Sequence, residues 1–325
     1  MKISLLTLAA FMLITPGLPA AEPASAARES LIAAERAFAA RAAATSNRTA
    51  FLEVLTDDSV VFHPDAVNGK TWWTARPERK AKLLWAPDFV VVASNGELGL
   101  SNGPWIFLDE KGVEVAAGRF TSIWKRDGDG PWKLALDHGI GYPRATGTPW
   151  MSTDFATITI TNLTITDYFP MAEPTHGEKS ETAPIHRIDP KKPDPATIVP
   201  CYTHKSNPTR FERSDCPLDQ GLGAEALDRV LTRENWLSAL KQNTRVQRDG
   251  EVPGGDPRWI AARSRAARWV PVGGGASKDG ALAYSYGDYT LTPARPGDPD
   301  EHGIYIHVWS GGKLILEQFN PADAK

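Results

Sequence analysis

With only two cysteines in 325 residues, Cys201 and Cys216, the chain cannot build a thiolate metal centre. Its seven histidines form neither an H-E-x-x-H nor an H-x-H arrangement, so no metal site is expected. No cofactor motif is present either. The one glycine triplet, Gly273 to Gly275, lacks the dinucleotide-binding pattern and reads as a flexible connection between strands. A G-x-S-x-G elbow is missing, which leaves a serine hydrolase unsupported. Charge of one sign is not in excess: 36 basic and 39 acidic residues give a net charge of -3, without the basic footprint a phosphate backbone requires. Nucleic acid is therefore not an expected partner. Beyond the first twenty or so residues no apolar run reaches membrane-spanning length, so no stable membrane anchor is expected.

What is present begins with MKISLLTLAAFMLITPGLPA, a Lys followed by an apolar run and then small residues around Ala20 and Ala21. This is the pattern of a secretory signal peptide over residues 1–21, which predicts a periplasmic or extracellular protein. In such an oxidising compartment Cys201 and Cys216 can close a disulfide; the alternative is two unpaired thiols. With 42% hydrophobic and 9% aromatic residues, the remainder can bury substantial cores.

Residues Ala24 to Ala44 are rich in helix formers, with Leu31, Ala34, Phe38 and Ala42 at helical spacing. Asn47 is placed to cap a second short helix over Arg48 to Leu55. SVVFHP, Ser59 to Pro64, predicts a strand, and GKTWWTARPERKAKLLW predicts a helical or irregular passage over one end of a sheet. Four strand-like runs follow, DFVVVAS, ELGLSNGPWIFL, EVAAGRFTSIWKR and PWKLALDHG, separated by Ser-Asn-Gly, Asp-Glu-Lys-Gly and Gly-Asp-Gly-Pro turns. An antiparallel meander is the simplest connection, and helices followed by such a sheet make an α+β architecture.

The later part of the chain repeats this plan. ALDRVLTRENWLSALKQN reads as one amphipathic helix, and superposing the halves sets Phe51 against Leu237 and Val54 against Leu240. Trp85-Ala86-Pro87 matches Trp269-Val270-Pro271, Asn95 to Trp105 matches Asp279 to Tyr289, and Gly118 to Trp124 matches Gly303 to Trp309. Lys133 to Asp137 matches Lys313 to Glu317. Matches in one order indicate a duplicated unit. Between the copies lie a Thr/Ile alternation, FATITITNLTITDYF, and a Pro- and charge-rich stretch that reads as linker.

The helix pair, VVFHPDAVNGK, the Trp-x-Pro strand and especially GRFTSIWKRDGDGPWKLALD resemble the nuclear transport factor 2-like superfamily, most closely its SnoaL-like, ketosteroid-isomerase-like branch of unknown function. The resemblance implies two cone-shaped domains, each with N-terminal helices packed on a strongly curved, mainly antiparallel sheet. It sets the organisation as signal peptide 1–21, first domain 24–141, linker 142–222 with added strands and a disulfide, and second domain 223–321. It also implies sheet-to-sheet pairing, here an intramolecular pseudo-dimer, and a cone able to hold a small apolar or carbonyl-containing ligand. Because such folds host many functions, two readings stay open. One is a binding or interaction protein without catalysis, and the other an isomerase- or dehydratase-like enzyme using a pocket carboxylate.

Proton chemistry in the first unit falls to Asp137, His63 and Asp65, since a buried carboxylate can take a proton next to a carbonyl. Asp137 and His138 are adjacent and must face opposite sides of a regular strand, so at most one is central. In the second copy they become Glu317 and Gln318, and His307 stands where Ser122 stood, which reads as a residue not carried over. Core or pocket aromatics are Trp72, Trp85, Trp105, Trp124, Trp269 and Trp309, and His138 and His307 are further candidates to line a pocket. Tyr284 and Tyr286 share one strand face and can line the second cone or a seam between domains.

Overall fold

The protein is described here by a computed structural model covering residues 24–142, 224–229, 231–251 and 256–322. The expected signal peptide, the linker from residue 143 and the Cys201 and Cys216 pair lie outside the described residues. Among the described residues no helix is long and apolar enough to cross a membrane.

The first unit opens with α1 (Ala24–Ala44) and α2 (Asn47–Val54). The cap of α2 is Ser46, one residue before the expected Asn47; its hydroxyl accepts the Thr49 N–H at 3.0 Å. The chain continues through β1 (Leu55–Phe62), β2 (Ala66–Asn68), α3 (Gly69–Thr74), β3 (Lys82–Trp85), β4 (Phe89–Val92), β5 (Leu98–Leu108), β6 (Glu114–Lys125) and β7 (Lys133–Gly141). The second unit contains α4 (Glu225–Asp228), α5 (Arg233–Ala239), β8 (Leu240–Arg248), α6 (Trp259–Ala262), β9 (Ser264–Ala276), β10 (Leu282–Pro293), β11 (Glu301–Ser310) and β12 (Lys313–Pro321).

The cone is not formed. Each unit carries an open sheet rather than a curved, closing one: the strand order is β2-β1-β7-β6-β5-β3, with β4 also on β5, in the first, and β8-β12-β11-β10-β9 in the second. Both paths run from one edge strand to another without returning. The β5-β6-β7 and β9-β10-β11-β12 meanders are antiparallel as expected, but β1 lies parallel to β7 and β8 parallel to β12. Parallel neighbours need a long crossover, which here is the whole meander.

The single helix expected over Ala226 to Asn243 is broken. Thr232 caps α5 through a capping box with Asn235, so α4 and α5 are separate short helices, and Leu240 already starts β8. Leu240 faces Leu314 as Leu55 faces Leu134, so Leu55, not Val54, is its counterpart, and the helix alignment shifts by one residue. The glycine triplet lies inside β9. Tyr286 and Tyr284 cross over Gly273 and Gly275 on the paired strand, and a side chain at Gly273 would overlap the Tyr286 ring.

Each sheet buries one face under its helices. Leu31, Phe38, Phe51, Trp85, Phe120 and Trp124 fill the first core, and Leu227, Trp236, Trp269, Tyr289, Trp309 and Phe319 the second. The opposite faces pack against each other, joining Phe62, Leu100, Ile123 and Leu136 to Leu282, Ile306, Val308 and Leu316. Contacts across this seam are isologous, as in a twofold dimer. His138 Nδ1 meets Gln318 Oε1 at 2.7 Å, and these are matching positions. Phe62 packs on Tyr286 at 5.6 Å between ring centres, and the matching pair, Gln247 and Asn102, hydrogen-bonds at 3.0 Å. Tyr284 and Tyr286 belong to this seam.

Candidate active site

The carboxylates of the two cores come from places where the helix stripe and the sheet meet. Glu35 follows Leu31 by four residues and precedes Phe38 by three, so it occupies the stripe of α1 that faces the sheet. It is completely buried, and its two oxygens accept the indole N–H groups of Trp85 and Trp124, each at 2.7 Å. Burial pushes its pKa to about 7, with the charge of Asp137 adding to the rise against the lowering effect of the indole donors.

Asp137 reaches the same face because of a β-bulge. The register between β6 and β7 shifts between Ile123 and Trp124, where Leu136 pairs with Ile123 but Leu134 with Trp124. Ala135 is the extra residue, so Leu134 and Asp137 both face the helices while Leu136 and His138 face the seam. Asp137 accepts the Ser122 hydroxyl at 2.7 Å, and burial raises its pKa to about 6. It nonetheless keeps part of its surface open, and Gly139, two residues further on the same face, is exposed. Trp105 lies beside Gly139, and its indole N–H is buried without a hydrogen-bond partner. The half-buried Trp72, Trp73 and Leu83 pack around the same core.

The second unit repeats the positions and changes their state. The β11-β12 register carries the same bulge, and His307 lies opposite Glu317 as Ser122 lies opposite Asp137. Asp228 of α4 takes the role of Glu35. It accepts from Trp309 Nε1 at 3.2 Å, from His307 Nδ1 at 2.9 Å, from Tyr305 at 2.8 Å and from the Ser285 hydroxyl. Glu317 accepts the Trp236 indole at 2.6 Å and lies 3.1 Å from His307 Nε2. All three ionisable side chains are sealed from solvent. Burial opposes the charge on His307, but the flanking carboxylates win and raise its pKa to about 9. The position of Gly139 is taken by Phe319, fully buried and packed edge-on against Tyr289 at 5.0 Å.

The other expected site residues are not gathered here. His138 belongs to the seam, where burial lowers its pKa. His63 stacks on Trp72 at 3.6 Å, with the Arg76 guanidinium also over that ring. Burial, Arg76 and His138 lower its pKa to about 4, so it is neutral at physiological pH. Asp65 is exposed and offers its carbonyl to the His63 N–H. Among the described residues no hydrogen bond or ring contact joins His63 or Asp65 to Asp137. Trp85, Trp124, Trp269 and Trp309 are core residues, and His307, expected at most to line a pocket, is the sealed centre of the second network. Glu35 and Asp228 were missed altogether. Their signal was a carboxylate set within an apolar helical stripe.

The raised values set the pH dependence of stability. Glu35 and Asp137 hold protons in the folded chain that the unfolded chain has released, so stability falls as pH rises from about 4 to about 7. His307 contributes stability that is complete below its unfolded value near 6.5 and is lost as pH rises through about 9. The lowered values of His63 and His138 work the other way up to about pH 6.5 and offset part of this. The three raised groups outweigh them, and chemical denaturation should show unfolding free energy declining between pH 5 and pH 9 by more than ~1.4 kcal/mol, the worth of one pKa unit. Glu35→Gln should flatten the lower part of that decline; a profile rising with pH would overturn the assignments.

No family profile matches the chain, and no curated protein is similar to it. Several solved structures share a distant likeness. A provisionally assigned ketosteroid isomerase from Parabacteroides distasonis is 18% identical, over 32% of this chain and 81% of that one, with a TM-score of 0.26. The association domain of C. elegans CaMKII is 11% identical over 36% of this chain and 96% of that one, with a TM-score of 0.29. A nuclear transport factor 2-like protein from Salmonella enterica is 16% identical, over 39% and 97%, at a TM-score of 0.29.

Proposed function

We propose that the first unit is a proton-transfer site acting on a small carbonyl compound, in the manner of an isomerase or dehydratase, with Asp137 as the base. The observation that carries this is the contrast between matching positions: partly exposed Asp137 followed by exposed Gly139 in one unit, sealed Glu317 followed by buried Phe319 in the other. A carboxylate with a pKa near 6 is mostly ionised at neutral pH yet basic enough to accept a proton from a carbon beside a carbonyl. Ser122 donates to one of its oxygens and fixes its orientation. Trp105 supplies an unused N–H for the oxygen on which negative charge develops. Burial holds the base near neutrality, and the charge of Asp137 in turn helps to keep Glu35, held by two indoles, protonated beside it. The second unit, its equivalent volume filled by Phe319, serves as the docking partner. With the secretory leader, the reaction would run in the periplasm or outside the cell.

The test is deuterium exchange at the α-carbon, followed by proton NMR in heavy water with a panel of cyclic and aryl ketones. Exchange above the buffer rate, increasing with pH through a limb near 6, is the expected result. No acceleration with any ketone at millimolar concentration would sink the reading.

A further inference from the structure

A separate feature lies at the edge of the second sheet. There β9, an edge strand, and the end of α4 enclose an open groove of about 320 Å3, within the range of small-molecule sites. Leu231 and Trp269 form its buried apolar part, Val270 and Pro271 its more exposed part, and Arg229 and Arg268 its charged part. Both arginines are exposed, and neither pairs with a described acidic residue. Neighbouring arginines differ: Arg263 pairs with Glu251, and Arg233 donates to the Ser264 carbonyl. The Trp269 indole N–H is buried without a hydrogen-bond partner, its ring packed inward on Trp236 and His307. In the first unit the matching Trp85 N–H is used by Glu35, and the places of Arg229 and Arg268 hold Arg36 and Leu84. The cation pair is therefore particular to the second unit rather than a feature of the duplicated scaffold.

Two guanidiniums beside an aromatic and aliphatic wall match an anionic head on an apolar body, because guanidinium binds carboxylate through charge-assisted hydrogen bonds while the wall removes apolar surface from water. We propose that this groove binds a small amphiphilic organic anion, with its carboxylate between Arg229 and Arg268 and its apolar body against Leu231, Trp269 and Pro271. The site is independent of the proton-transfer reading of the first unit.

Isothermal titration of the full chain with 1-naphthoate tests it, with 1-naphthalenemethanol as the uncharged counterpart. The expected result is naphthoate binding at least about tenfold tighter than the alcohol, since only the carboxylate forms charge-assisted hydrogen bonds with the guanidiniums. Arg229→Gln with Arg268→Gln together should cost at least that factor. Arg265→Gln, exposed on the same strand but outside the groove, should leave binding unchanged. Equal affinity for the alcohol, undiminished binding by the double variant, or no naphthoate binding at millimolar concentration would overturn the proposal.

Discussion

Asp228→Asn is expected to lower the unfolding free energy by about 3–5 kcal/mol, the cost of breaking a buried charge arrangement by removing one partner. The carboxylate accepts from the side chains of His307, Trp309, Tyr305 and Ser285, which arrive from two different strands and have no access to water. Asparagine keeps one acceptor oxygen for His307 and Trp309 and turns an amino group toward the Tyr305 and Ser285 hydroxyls, which must then accept instead of donate, and it removes the buried charge that faced the imidazolium. It also leaves the imidazolium of His307 with Glu317 as its only adjacent carboxylate. Two readouts follow. Chemical denaturation should give the loss in stability, and the decline in stability between pH 6.5 and pH 9 should shrink because the pKa of His307 returns toward its ordinary value. A loss under ~1 kcal/mol with an unchanged alkaline profile would show that the network does not hold the second core. The comparable change in the first unit, Glu35→Gln, should cost less, because Glu35 accepts two bonds rather than four and its ionised form is disfavoured by burial.

The second large effect is on turnover. With a ketone that exchanges its α-proton on the wild-type protein, Asp137→Asn should reduce the rate by about 10²–10⁴, the usual contribution of a positioned general base. The amide is nearly the same shape and can still accept the Ser122 hydroxyl, so the variant should fold and melt close to wild type. Retained exchange in a folded variant would remove Asp137 from the role. The pH profile gives a second criterion. Glu35, with a pKa of about 7, still holds its proton while Asp137 titrates, so Glu35→Gln should leave the limb assigned to Asp137 near 6 and the site active. A limb displaced well below 6 would mean that Glu35 ionises before Asp137, the reverse of this order.

Much of the fold was legible because it rests on local patterning. The helix over Ala24–Ala44, the meander strands and their turns follow from propensity and from the period of two, and the repeated Gly, Trp and Lys-Leu positions follow from duplication. The opposite facing of Asp137 and His138 was also legible, since neighbours on a strand must alternate. The errors have equally definite causes. A helical period running through Thr232 hid the break between α4 and α5, because a capping threonine also fits within an amphipathic pattern. The glycine triplet looked like a loop because its support, Tyr284 and Tyr286, comes from the adjacent strand. His307 was discounted because it replaced a serine, although its partner Asp228 lies 79 residues away in the chain.

The sequence by itself determined the two α+β units, their duplicated order, and which strands carry Asp137 and Glu317, because alternation, turn chemistry and internal repetition act over short stretches of chain. Only the tertiary structure decided that the sheets stay open, that β1 and β8 join them in parallel, and that a bulge at Ala135 turns Asp137 toward Glu35. It also decided that Gly139 leaves one carboxylate open while Phe319 seals the other. These outcomes depend on pairing register and on the volume left between elements distant in the chain, neither of which local sequence encodes.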